Sequence, residues 1–246
     1  DKYWASFRDH RITPYCSTPG ITPSVSWTTR SAEQCAGLAP EEAKLFQEKA
    51  LTPVFDWTAW DDEMQRTFDT FHFNSFRLGI PGITAGEYQG FPVGSREYEL
   101  AFNAYGHAVQ EHLRETGFLD EAYIYWYDEP AKADYPQVMN GFRQLKAAVP
   151  DIALMLTEQV DPELIGGPNL WCPLISYYKH DIAEERRKAG DRFWWYVCTV
   201  PKQPFPGLFT DHPGTDLRVW LWMTWKYGIE GILIWHSNLW TTGMAY

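Results

Sequence analysis

Two adjacent carboxylates, Asp128 and Glu129, close the run YIYWYDEP from Tyr123 to Pro130. The apolar and aromatic residues before them suit a buried strand, and Pro130 lacks the N–H needed to extend a ladder, so the acids fall at the strand's carboxyl end. An α/β barrel places its active site at that end. Charges on neighbouring residues stay about 5 to 7 Å apart, where repulsion at an effective dielectric near 20 is about 2 to 3 kcal/mol, enough to keep a proton on one of them near neutral pH. One neutral donor beside one ionised carboxylate is what cleavage of a glycosidic bond requires.

In ordinary retaining glycosidases the two acids face each other across the bond from different strands, which adjacent residues do not easily manage. An adjacent pair suits a substrate-assisted route instead. The sugar's own 2-acetamido oxygen attacks the anomeric carbon, Asp128 orients and polarises that amide, and Glu129 protonates the leaving oxygen and later activates water. The chain holds three Asp-Glu dipeptides. Asp62-Glu63 follows Asp61 at the start of a helical pattern, where acids cap free N–H groups and complement the helix dipole. Asp120-Glu121 precedes the YIYWY strand and reads as a solvated turn. Only Asp128 and Glu129 fall on the chemical side.

The elements that must position them alternate between helical and strand-like periods from Asp61 onward, the pattern of an α/β fold. Helices are expected over 61–71, 95–116, 181–189 and 216–227, with another after Pro130 that carries Val138, Phe142, Leu145 and Val149. Strand-like runs near Ile12, Phe76, Tyr125, Leu154, Pro173, Trp195 and Leu233 number seven, one short of a (β/α)8 TIM-type barrel. The chain opens on what reads as the tail of a helix, Asp1 to His10, so a first strand is expected upstream and the barrel is expected to be incomplete at its N-terminal end. Residues 1–246 are read as a single catalytic domain, with Val54 to Trp57 an extra edge segment. A flavodoxin-like open sheet is the alternative, and the number of units favours the barrel.

Composition narrows the partners. A net charge of -11 with no long Lys/Arg run argues against a phosphate-reading surface, so nucleic acid is not an expected partner. No segment approaches 18 uninterrupted apolar residues, so no membrane span is expected. Cys16, Cys35, Cys172 and Cys198 lack metal spacing, so neither a metal nor any other cofactor is expected. Cys172 and Cys198 read as buried thiols. Cys16 and Cys35 could pair in an oxidising compartment, so the location stays open, with a secreted or periplasmic one favoured. Aromatic residues at 17%, with 13 Trp, exceed what a core requires.

YIYWYDEP, together with the downstream run FWWYVCTVPKQPFPGLFTDHPGTDLRVWLWMTWKYGIEGILIWHSNLW, resembles the catalytic barrel of glycoside hydrolase family 123. The resemblance extends from HRITPY at His10 through FHFNSFRL at Phe71 to the last strand. It implies an exo-acting β-N-acetylgalactosaminidase that retains configuration, with the acetamido-orienting Asp at Asp128 and the general acid/base at Glu129. It implies a glycan or glycoconjugate substrate ending in β-GalNAc. Family members usually carry a β-sandwich before the barrel, and no such domain is expected within residues 1–246.

Other residues are candidates for contact with sugar. Trp235 and Asn238 follow the last strand in WHSNLW, the first as an aromatic floor and the second as a hydroxyl partner. Tyr196 and Trp194 share one face of a strand, and Tyr196 can both pack and hydrogen-bond near the acetamido group. Trp171 opens its strand and competes with Tyr177 and Tyr178. Arg77, if buried, needs a partner and is either a structural ion pair or a substrate contact. Alternatives remain open between β-GalNAc and β-GlcNAc, and between an enzyme and a carbohydrate-binding or inactive barrel fragment.

Overall fold

The computed structural model describes residues 1–18, 20–83 and 86–237. In chain order these form α1 (Lys2–Asp9), β1 (Ser24–Thr28), α2 (Pro40–Glu48), β2 (Thr52–Asp56), α3 (Thr58–Phe71), β3 (Phe76–Arg77), β4 (Glu87–Tyr88) and β5 (Phe91–Pro92). There follow α4 (Arg96–Thr116), β6 (Ala122–Tyr125), α5 (Tyr135–Ala148), β7 (Ala153–Leu156), β8 (Leu170–Trp171), α6 (His180–Lys188), β9 (Arg192–Val197), α7 (Thr215–Lys226) and β10 (Gly231–Ile234). The fold is α/β. The chain divides into two compact units, one of Asp1–Tyr125 with Asn140–Ala153, the other of Trp126–Met139 with the chain from Leu154 onward.

In the first unit, β3 pairs in parallel with β6, Phe76 opposite Ala122. α4 starts where the Ser95 hydroxyl accepts the Tyr98 N–H at 3.2 Å, and it stops at Gly117, whose φ of 80° disfavours any side chain. Its buried stripe carries Tyr98, Phe102, Val109 and Leu113 at helical spacing. Gly106 lies on that stripe because a Cβ there would sit 2.6 Å from the Ala148 Cβ, closer than any real contact. Aromatic rings interlock around these helices: Phe55 stacks on Trp57 at 4.5 Å, and Trp57 stacks on His112 at 3.9 Å. Much of the aromatic excess in this unit is therefore packing.

Three sequence expectations change here. The segment near Ile12 is not a strand. It runs beside β3, with the Arg77 N–H donating to the Tyr15 carbonyl at 2.8 Å and the Thr13 hydroxyl donating to Asn74 at 3.0 Å. The residues at Val54, read as an edge segment, form β2, which pairs antiparallel with β1, Val25 opposite Phe55. α3 begins at Thr58, earlier than its apolar period suggests, with Asp56 accepting the Thr58 N–H at 3.1 Å. Asp62 and Glu63 consequently lie beyond the first turn, and Glu63 pairs with Arg66 at 2.7 Å instead of capping.

In the second unit β7, β8, β9 and β10 lie side by side in that order, all parallel. Leu156 is level with Trp171, and Trp171 with Phe193, so the residues just past them emerge together at the carboxyl ends of the strands. Alternation divides β9 between two faces. Trp195 turns toward α7 and donates its indole N–H to the Thr224 hydroxyl at 3.2 Å, leaving Tyr196 on the opposite face. Cys16, Cys35, Cys172 and Cys198 are all free thiols, Cys172 fully buried, Cys198 half-buried and Cys16 exposed. No described helix is long and apolar enough to cross a membrane.

Candidate active site

The backbone leaves β6 at Tyr125, two residues earlier than the YIYWY pattern suggests, so Asp128 and Glu129 are carried by a loop. Their anchors are supplied by β7 and β9 of the second unit. Thr157, immediately past β7, donates its hydroxyl proton to Asp128 Oδ1 at 2.9 Å. The same hydroxyl oxygen accepts the Glu129 backbone N–H at 2.9 Å. On β9, the Tyr196 phenol donates to Glu129 Oε1. The two acids are open to solvent while Thr157 and Tyr196 are buried, so rigid groups hold accessible ones.

Glu129 has φ of 40°, in the left-handed region, although it carries a side chain and precedes Pro130. A pre-proline residue prefers extended backbone, and a left-handed one costs about 1 kcal/mol. Such strain persists only where surrounding contacts over-determine it, and it concentrates at functional positions. Here the Thr157 and Tyr196 bonds hold both ends of the residue. Beyond Pro130, Asp134 accepts the Ala131 N–H at 3.0 Å, and Lys132 reaches Asp161 at 3.3 Å and Glu163 at 3.2 Å. These ties fasten the acid-bearing loop to the segment after β7.

Electrostatics sort the neighbours into fixed and titrating groups. Burial, with Glu129's carboxylate next in order, pushes the Tyr196 phenol far above its ordinary value, so it stays a proton donor. Burial and the nearby Asp128 charge likewise push the Cys172 thiol up, which leaves it inert. Burial first, then the charges of Asp161 and Glu129, raise Glu158 from its ordinary value, while the Gln159 N–H donates to it at 2.9 Å and opposes the shift. Burial and the Glu158 and Asp161 charges push Tyr135 up to about 12.

The raised Glu158 gives a stability prediction. Folded protein holds this proton more tightly than unfolded chain, so its destabilising contribution is absent below the ordinary value of 4.5 and develops as pH rises through the raised one. Glu158→Gln is expected to raise Tm above neutral pH, with the gain shrinking toward zero as pH falls to about 4. Thermal melts across that range check it. An offset that does not depend on pH would contradict the assignment.

The remaining candidates differ in exposure and in partners. Trp171 is fully buried and donates its indole N–H to Asp191 at 2.7 Å, so it presents no face to a ligand. Arg77 is exposed, donates to the Tyr125 carbonyl at 2.8 Å and lies over the Tyr15 and Tyr125 rings; a carbonyl and ring faces hold it where a carboxylate was considered. Tyr177 is 58% exposed, at the end of a short 3-10 turn, and Trp235 is 57% exposed with its ring edge-on to His236. Tyr178 is engaged with Arg187 and Tyr227. Asn238 lies outside the described residues. Thr157 and Glu158 were missed; the strand-exit argument applied to YIYWY points to them equally when applied to ALML, since TE follows it directly. Among the described residues no group of three His, Cys, Asp or Glu side chains is placed to hold a metal ion.

Comparison with known proteins adds four findings. Residues 57–244 match the family model described as glycoside hydrolase 123, catalytic domain. A solved family 123 glycoside hydrolase from Clostridium perfringens, described in terms of glycolipid glycan hydrolysis, superposes with a TM-score of 0.50 at 16% identity, covering 75% of this chain and 36% of that one. The chain thus spans about a third of that structure's length, and at this identity the likeness is one of fold. A protein described as a glycerophosphoryl diester phosphodiesterase from Silicibacter pomeroyi DSS-3 covers 74% of this chain and 52% of its own at 12% identity, with a TM-score of 0.35. No curated protein matches the chain.

Proposed function

The chain belongs to glycoside hydrolase family 123 through its catalytic domain, and from that premise we propose that it releases terminal β-linked N-acetylgalactosamine from a glycan with retention of configuration. In the first step the acetamido oxygen forms a bond to C1 as the C1–O glycosidic bond breaks. Asp128 accepts the acetamido N–H and stabilises the positive charge that spreads over the amide. Glu129 gives its proton to the departing oxygen. In the second step water attacks C1, Glu129 takes a proton from it, and the oxazoline ring opens to restore the acetamide. No protein nucleophile is required.

The observation that carries this reading is the single Thr157 hydroxyl bonded to Asp128 and to the Glu129 N–H, which holds two adjacent acids as one unit. Tyr196, bonded to Glu129, supports the acid/base, and the exposed rings of Trp235 and Tyr177 are proposed sugar contacts. The parallel β/α alternation is proposed to belong to a (β/α)8 barrel of the family type. Because the Clostridium perfringens enzyme is described with glycolipid glycans, a glycolipid ending in β-GalNAc is the natural substrate to try first.

The test compares chromogenic β-GalNAc with the matching β-galactoside, which lacks the internal nucleophile. Intramolecular attack is worth many orders of magnitude in effective concentration, so the galactoside is expected to react at least about a thousandfold more slowly. Comparable turnover of both would rule out the acetamido route. A matching β-GlcNAc glycoside reports the preference at C4.

A further inference from the structure

We propose that Thr157 is a positioning residue for the reaction, one hydroxyl that fixes the orientation of Asp128 and the backbone of Glu129 together. The inference rests on the acetamido-assisted reading above and goes beyond it to a residue outside the acid pair. The direction of both bonds follows from their partners. A backbone N–H can only donate, so Thr157 Oγ1 accepts from Glu129 at 2.9 Å. An ionised carboxylate can only accept, so the one hydroxyl proton goes to Asp128 Oδ1, also at 2.9 Å. The oxygen's donor capacity toward these two partners is used once, and turning it away would break both bonds.

Two further features hold the hydroxyl in place. Thr157 is 3% exposed, so water does not readily replace either bond. Its branched Cβ restricts χ1 more than a serine would. It also follows directly on β7, whose Leu156 is level with Trp171, and whose Leu156 carbonyl accepts the Cys172 N–H at 2.9 Å. The hydroxyl therefore starts from a rigid ladder and ends on a loop. Without it, Asp128 gains rotamers and Glu129 loses a contact that supports its φ of 40°. Neither acid leaves the chain, yet both lose the orientation on which the reacting amide and leaving oxygen depend.

Thr157→Val keeps the shape and removes both bonds, and kcat on chromogenic β-GalNAc is expected to fall about 100-fold. Thr157→Ser restores the hydroxyl and should recover most of that loss, to within about fivefold of wild type, the remainder reflecting the freer χ1. The decisive measurement is a cycle with Asp128→Ala. Once the carboxylate is gone, the valine change should cost only about tenfold, the part that remains being carried by the Glu129 N–H bond. Thr157→Ala serves in the same cycle if the valine variant melts below the assay temperature. Equal penalties in both backgrounds, or a serine variant as poor as valine, would overturn the proposal while the wild type remains active. An inactive wild type would overturn the hydrolase reading itself, and this inference with it.

Discussion

Glu129→Gln loses about a thousandfold in turnover on a substrate with an alkyl or sugar leaving group, the range expected when a positioned general acid is removed. The loss shrinks in the bond-breaking step when the leaving group is a nitrophenol, which departs without protonation, and azide restores product formation because an anion needs no base. Asp128→Asn behaves differently. Its penalty of about a hundred- to a thousandfold should persist whatever the leaving group, since the amide charge it is proposed to stabilise develops in every case. Steady-state kinetics on paired aryl and alkyl β-GalNAc glycosides check both. Near-normal turnover in both variants, or the same leaving-group dependence in each, would remove these residues from the assigned roles.

Asp191→Ala carries the largest expected loss of stability. Asp191 Oδ2 accepts the Trp171 indole N–H at 2.7 Å and the Arg186 Nε–H at 2.7 Å, and its side chain is only 7% exposed. Removing it strands a buried indole donor beside a guanidinium that is itself mostly covered. Breaking such a pair from one side costs about 3 kcal/mol, which in a chain of this size lowers Tm by roughly 6 to 12 °C. Asp191→Asn keeps an acceptor for one of the two donors and should lose about half as much. Thermal melts of the two variants test this, and an alanine variant within about 2 °C of wild type would mean the contact is replaced by water.

Much of the frame was legible because its signals are local. Ser95 and Gly117 mark the ends of α4, and the spacing of Tyr98, Phe102, Val109 and Leu113 gives its buried side. The acid pair was legible for the same reason, being consecutive in the chain and followed by proline. β1 was not, because Ser24–Thr28 is mostly exposed and shows no clean alternation, and Pro53 weakens the case for its partner β2. Trp171 reads in the sequence as a candidate sugar contact, but its partner Asp191, 20 residues later, takes its N–H. Thr157 escaped for a related reason. Its partners sit 28 and 29 residues away, and only strand adjacency, which no local pattern encodes, brings them together.

The backbone at position 129 and the chemistry at position 129 ask for different amino acids. A φ of 40° is adopted most cheaply by glycine, then by asparagine, whereas proton transfer needs a carboxyl group. On the acid/base role proposed for Glu129, selection for turnover would keep the less comfortable residue there. In a lineage that abandons hydrolysis and retains only sugar binding, drift at this site should run first to Asp-Gly-Pro or Asp-Asn-Pro, and the descendant should be more heat-resistant than its active ancestor. A single codon would then tell a surviving enzyme from a retired one.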